Sequence, residues 1–338
     1  MRITLHHAWA AGAMIASAAF LCPLPAAAQQ GEHPDTDGIF TVSFENDIFA
    51  GEDNNYTNGV RFSYVSPEND IPGWLDRTAD ALPFFTAEGN KRWQLSAGQS
   101  MFTPSDTLAT AALPDDRPYA GWLYGSLGVV ADHGNRLDNV QLTVGIVGPA
   151  SGAEDTQNFI HDLIDSDKAK GWNHQLKNEL GVALSVERKW RSLYEFTPLG
   201  WGLDVTPSLG ASVGNVYTHA SAGAMVRFGY DLPADYGPPI IPPALGGSDF
   251  FVPSSDFGWY VFAGFEGRAV ALNIFLDGNT FTDSPSVDKE PLVGGLQVGL
   301  AVTVYETRIA YTHVFRTREF KTQHEDDSYG ALTVSWRF

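Results

Sequence analysis

Tyr329-Gly330-Ala331-Leu332-Thr333-Val334-Ser335-Trp336-Arg337-Phe338 is the stretch whose alternation decides the fold. Successive side chains of an extended strand point to opposite faces, so Leu332, Val334, Trp336 and Phe338 share one side while Thr333, Ser335 and Arg337 share the other. An apolar face turned to lipid and a polar face turned inward is the signature of a transmembrane β-barrel strand. A closing Phe338 on the apolar face resembles the C-terminal signal read by the outer-membrane assembly machinery, which makes that machinery an expected partner during biogenesis.

Working back from this strand, the same period recurs at Ile39 to Ile48, Thr57 to Ser66, Arg92 to Phe102, Tyr119 to Ala131, Leu137 to Gly148 and Leu176 to Trp190. It continues at Leu203 to Gly214, Tyr217 to Tyr230, Gly258 to Phe275, Leu292 to Val304 and Thr307 to Thr317. With the terminal strand this predicts an all-β, antiparallel barrel of about twelve strands, since single-chain bacterial barrels use even numbers. Gly258 to Phe275 changes parity around Glu266-Gly267-Arg268, so a bulge there keeps twelve and a hairpin makes fourteen. Arg61, Glu179, Glu187, Arg227, Glu266 and Arg268 fall on polar faces. Charges inside so narrow a barrel must be paired or hydrated, which implies a plugged polar interior. Among the interruptions, Asn69 to Asn90 holds a short amphipathic helix, Pro149 to Gln175 holds a helix from Glu154 to Ile164, and Asp231 to Phe257 is a Pro- and Gly-rich loop.

At the other end of the chain, Arg2, the apolar run Ala8 to Leu21 and Ala26-Ala27-Ala28 have the three-part layout of a secretory signal peptide. Residues 1–28 are therefore expected to be removed, leaving 29–338 as one barrel domain. The single cysteine, Cys22, lies within that leader, so no disulfide or thiolate metal site is expected in the remainder. The formal charge of −19 excludes nucleic acid as a partner, because binding it needs a basic surface.

Two places bring chemistry-bearing residues together. Glu45-Asn46-Asp47 and Asn54-Asn55-Tyr56-Thr57-Asn58-Gly59 meet at one hairpin mouth, where Asn46, Asp47 and main-chain carbonyls offer the hard oxygens Ca²⁺ takes; a plain Asn/Asp/Gly turn explains the same residues. Gln157 and His161 sit four residues apart on one helix face, and an imidazole there is a candidate general base; a surface histidine is the plainer explanation, and His174 competes for the role. Ser43 and Ser63 read as small lumen-filling residues, and no GxSxG elbow, HExxH or Walker loop is present. Metal-assisted attack by water is accordingly the enzymatic chemistry expected.

Glu45-Asn46-Asp47, Tyr56-Thr57-Asn58-Gly59, Asp116-Arg117-Pro118-Tyr119-Ala120-Gly121-Trp122, Gln157-Asn158-Phe159-Ile160-His161, Gly171-Trp172 and Gly214-Asn215, in that order, resemble the lipid A 3′-O-deacylase family of the Gram-negative outer membrane. The likeness runs from about Ile39 to Phe338. It implies a twelve-stranded barrel with its site on the outer-leaflet side. It also implies a Ca²⁺-dependent esterase that releases the 3′-acyloxyacyl group of lipid A, the lipid anchor of lipopolysaccharide. On this resemblance His161 is the base, Asn46 and Asp47 belong to the catalytic and calcium cluster, Thr57 and Gln157 line it, and Arg117 is the nearest cation for substrate. Where some members carry a glutamate six residues after the base, this chain has Asp167, implied as a second metal ligand, with Asp165 nearby. The loop Thr103 to Asp116 holds no Lys or Arg, unlike some members. Two other readings keep the barrel: a channel or scaffold without catalysis, and a phospholipase of the outer leaflet.

Overall fold

The computed structural model describes residues 35–47, 55–82, 85, 89–164, 167–192, 194 and 196–338. The leader expected at 1–28, Ile48, Asn54 and Asp165 lie outside these. Twelve antiparallel strands close a barrel: β1 (Ile39–Asn46), β2 (Asn55–Val65), β3 (Asn90–Thr103), β4 (Ala120–Asp132), β5 (Arg136–Val147), β6 (Glu179–Trp190), β7 (Trp201–Gly214), β8 (Tyr217–Tyr230), β11 (Phe257–Asn273), β12 (Leu292–Val304), β13 (Thr307–Arg316) and β14 (Asp327–Arg337). Strands β9 (Ala234–Asp235) and β10 (Phe251–Val252) form a separate ribbon, so the barrel count of fourteen does not apply. Neighbouring strands are consecutive except where β8 pairs β11, and β1 pairs β14 from Ile39↔Arg337 to Asn46↔Gly330 to close the ring. The irregularity expected in the long strand is real but displaced: the β8/β11 register shifts between Val270 and Leu272, while Glu266, Gly267 and Arg268 stay in step with Gly223, Ala222 and Ser221.

Alternation assigns the two faces. Phe40, Phe62, Leu123, Phe265, Val334 and Trp336 are exposed on the outward face, which no apolar core covers, as expected of a surface that meets lipid. Thr41, Ser43, Glu45, Ser63 and Arg61 are buried on the inward face. No helix among the described residues is long and apolar enough to cross a membrane.

The segment 231–256 is not a surface loop. It enters the lumen and pairs with inward-facing groups around the ring: Asp249 with Arg61 of β2, Asp235 with Arg227 of β8 and Arg308 of β13, and the Gly246 carbonyl with Lys189 of β6. Leu245 N–H donates to Glu266 at 2.5 Å, and Ile241 N–H donates to Glu45 at 2.6 Å. Each buried charge thereby gains an opposite partner or a hydrogen bond, without which burying it is costly. Pro and Gly are abundant here because the chain must turn sharply within a confined space; Gly237, at φ +87°, leaves room for Met225 where a Cβ would lie 2.2 Å from its sulfur. Above this plug, Phe102 and Phe275 stack at 4.2 Å, and Tyr56 meets Tyr329 edge-on at 4.9 Å. With Trp122, Tyr217 and Ile240 these rings close the lumen near the rim that carries Asn46.

Candidate active site between the barrel wall and a helix

The rim that carries Asn46 also carries the start of β2, the end of β3 and the start of β4. Asn46 continues the series Phe40, Val42, Phe44 and so belongs to the outward face; Asn58 lies directly opposite it in register, and Met101 directly opposite Asn58. These three outward residues are nonetheless buried, so something must cover the wall.

The helix expected within Asn69 to Asn90 is α1 (Gly73–Asp80); the next helix, α2 (Ala153–Ile164), packs on β3 and β4 and covers Met101. It starts after Gly148 (φ +97°) and Gly152 (φ +69°), positions whose left-handed backbone favours glycine, and carries Glu154 and Asp155 in its first turn, where the helix dipole favours acids. Docking is close: a Cβ on Gly121 would lie 2.2 Å from Ser151 Oγ and 2.3 Å from Ala153 Cβ. Gln99 on the outward face of β3 donates to the Ser151 carbonyl at 2.7 Å. Met101, Tyr119, Ala153 and Trp172 pack together beneath the helix. Ala153, Gln157 and His161 repeat every four residues and share the buried face, whereas Phe159 on another face is 69% exposed.

Around this rim and its helix, several polar groups are oriented by a neighbour. His161 Nδ1 lies 2.5 Å from the main-chain carbonyl of Asp167, an acceptor only, so Nδ1 carries the proton and Nε2 keeps its lone pair. Trp172 Nε1 donates to Gln157 Oε1 at 2.7 Å; indole can only donate, so the Gln157 amide group points elsewhere, and its Nε2 is buried with no hydrogen-bond partner. Thr57 Oγ1 and Thr103 Oγ1 share a hydrogen bond of 2.7 Å at the head of β2 and β3. Asn46 and Asp47 are buried at the end of β1.

Three placements differ in kind from what the residue types suggested. Asp167 is exposed and meets His161 through its main chain, so shortening a glutamate to an aspartate there does not disturb the contact. Arg117 is 1% exposed, its guanidinium 4.8 Å above the Phe102 ring and 3.5 Å from Glu319, so its charge is engaged inside the mouth. His174 is exposed, with Nε2 3.2 Å from the Thr110 carbonyl, apart from the covered helix face that holds His161. The residue passed over in the sequence is Asn58. It falls in the expected strand Thr57 to Ser66, where alternation gives it a face but no role, and within β2 it is 2% exposed.

The residues present fit a hard cation. Asn46, Asp47 and Asn58 supply carboxamide and carboxylate oxygens, and both polar atoms of the Asn58 carboxamide are buried without a hydrogen-bond partner. No group of three or more His, Cys, Asp or Glu side chains suited to a metal occurs among the described residues, so such a site depends on carboxamide and main-chain oxygen.

Fold and site together define a class: a membrane-spanning barrel with a plug segment in its lumen, whose chemistry-bearing residues gather at one rim beside a helix packed on the wall. A family model described as outer membrane protein LpxR matches residues 14–338. The chain belongs to the LpxR family of outer-membrane proteins. Among solved structures, LpxR from Salmonella typhimurium is similar with a TM-score of 0.72 and 21% identity, covering 89% of this chain and 100% of that one; at this identity the likeness speaks for the fold. The β domain of the Bordetella autotransporter BrkA matches at a TM-score of 0.41 and 10% identity, over 90% of this chain and 99% of that one, too remote to inform the site. Comparison with curated proteins gave no match.

Proposed function

We propose that this protein is a Ca²⁺-dependent esterase that hydrolyses the 3′-acyloxyacyl ester of lipid A from the outer leaflet. Membership of the LpxR family supports the substrate class, and the oriented imidazole of His161 carries the chemistry. With Nδ1 held by the Asp167 carbonyl, Nε2 accepts a proton from a water in the cleft, and that water attacks the ester carbonyl. The free N–H groups of Gln157 donate to oxygen that gains charge as the carbonyl becomes tetrahedral. The leaving hydroxyl recovers the proton from His161, and the products are a free carboxylate and the 3-hydroxyl of the sugar. Asn46 and Asp47 would hold Ca²⁺, which when bound acts as a Lewis acid toward the carbonyl oxygen. Thr57, fixed by Thr103, shapes the wall beside them. The neutral carbonyl behind His161 orients the ring without adding charge.

A cleft on the outward wall at the rim suits a substrate that stays in the membrane while its ester is presented from the side. With the chain ends at the opposite rim facing the periplasm, this rim faces the outer leaflet, where lipid A resides. The plug segment and the ring cluster in the lumen argue against the channel alternative. Purified barrel in detergent, given lipid A and phospholipid side by side with Ca²⁺ or EDTA, tests the assignment. The expected result is loss of the acyloxyacyl mass from lipid A only with Ca²⁺. Phospholipid cleavage instead would move the substrate, and hydrolysis unaffected by EDTA would remove the cation.

A further inference from the structure

Asn58 has no ordinary reason to be where it is. Its outward face on β2 otherwise carries Val60, Phe62 and Tyr64, and its register partner on β3 is Met101. A residue needed only to fill space beside Met101 would be apolar, as Met101 is. Burying a carboxamide without partners is costly, so the position stores a polar group that the protein alone does not use.

Its surroundings indicate what uses it. Asn46 is its register partner across β1/β2, and directly opposed strand residues hold their Cβ atoms about 4.5–5.5 Å apart, close enough for both carboxamides to reach one ion. Asp47 follows immediately on β1, and Gln157 on the covering helix keeps a second buried amide unpartnered. Gln157 Nε2 donates only and its Oε1 already accepts from Trp172, whereas Asn58 offers an unengaged carbonyl oxygen to a donor set short of carboxylates.

We propose that Asn58 Oδ1 is a ligand of the cation in this cleft, beside Asn46 and Asp47. The assignment rests on the Ca²⁺-dependent reading above and adds a residue to it. The test is Ca²⁺ binding itself, followed by calorimetry on the purified barrel without substrate, with heat-modifiable gel mobility reporting assembly. Asn58→Ala is expected to weaken Ca²⁺ affinity by about tenfold or more with the barrel assembled, a loss of the size seen when metal sites lose supporting groups. Asn58→Asp, nearly isosteric, is expected to bind Ca²⁺ at least as tightly as the wild type, and serves also if the alanine variant does not assemble. Wild-type binding with an unchanged affinity in an assembled Asn58→Ala chain overturns the assignment of Asn58 alone, as does weaker binding in Asn58→Asp. No Ca²⁺ binding by the wild type overturns the underlying reading as well.

Discussion

His161 donates its Nδ1 proton to the Asp167 carbonyl, so the lone pair on Nε2 is what a substitution removes. His161→Gln is expected to lower turnover by about 10²–10⁴-fold, the usual contribution of a general base, with gel mobility of the folded barrel unchanged. Asp167→Ala keeps the main-chain carbonyl and is expected to stay within about twofold of the wild type by the same assay, whereas a cation-ligating carboxylate there would make the loss far larger. At the barrel mouth, burial raises the Glu319 pKa, but Arg316, Arg117 and Arg268 more than offset this and hold it below the usual carboxylate range. A depressed folded pKa means its stabilisation is present above the unfolded value and lost as pH falls through the folded one. Glu319→Gln should therefore lower the heat-modifiability midpoint at neutral pH and flatten its decline in acid, which melting at a series of pH values checks. The four-residue spacing of Gln157 and His161 was legible in the sequence because helix geometry alone puts them on one face. The Asp167 contact was not, because a main-chain acceptor leaves no trace in side-chain identity, and Asn58 was given no role because the alternation of the strand Thr57 to Ser66 does not reveal its pairing with Asn46.

Helix α2 is held to the wall by small residues, and Gly121 is the tightest point. Gly121→Val brings side-chain atoms into Ser151 and Ala153, so the helix must lift, taking Gln157 and His161 with it. Turnover should fall by about 10²-fold or more, as when catalytic groups lose their alignment, with the barrel assembled. Activity within a few-fold of wild type would mean that α2 is not the cover of the site. Strand elements were the most legible part of the chain: Tyr217 to Tyr230 and Leu292 to Val304 match their observed bounds, because tight turns at Gly214-Asn215-Val216 and Tyr305-Glu306 cut the alternation sharply. The segment 231–256 was recognised as irregular but not as a plug. Pro and Gly reveal that a segment is neither helix nor long strand, but not on which side of a barrel wall it lies; the hint was the surplus of inward Arg61 and Arg227, whose partners Asp249 and Asp235 sit in that segment.

For the molecule as a whole, the plug is tied into the lumen by buried ion pairs, and a cluster of aromatic rings packs near the rim that carries Asn46. The wild type is expected to show no steady current in a planar bilayer, and replacing residues 234–252 with a short Gly-Ser link is expected to open a conducting pore. Equal conductance in both would contradict the plug. Lipid A hydrolysis, proposed for the residues at this rim, is the central claim. The most direct test is the mass spectrum of lipid A extracted from cells whose outer membranes carry the wild type or His161→Gln at equal, assembled levels. The account predicts a species lacking the 3′-acyloxyacyl mass with the wild type and intact lipid A with the variant. Intact lipid A with both, in the presence of Ca²⁺, would contradict it.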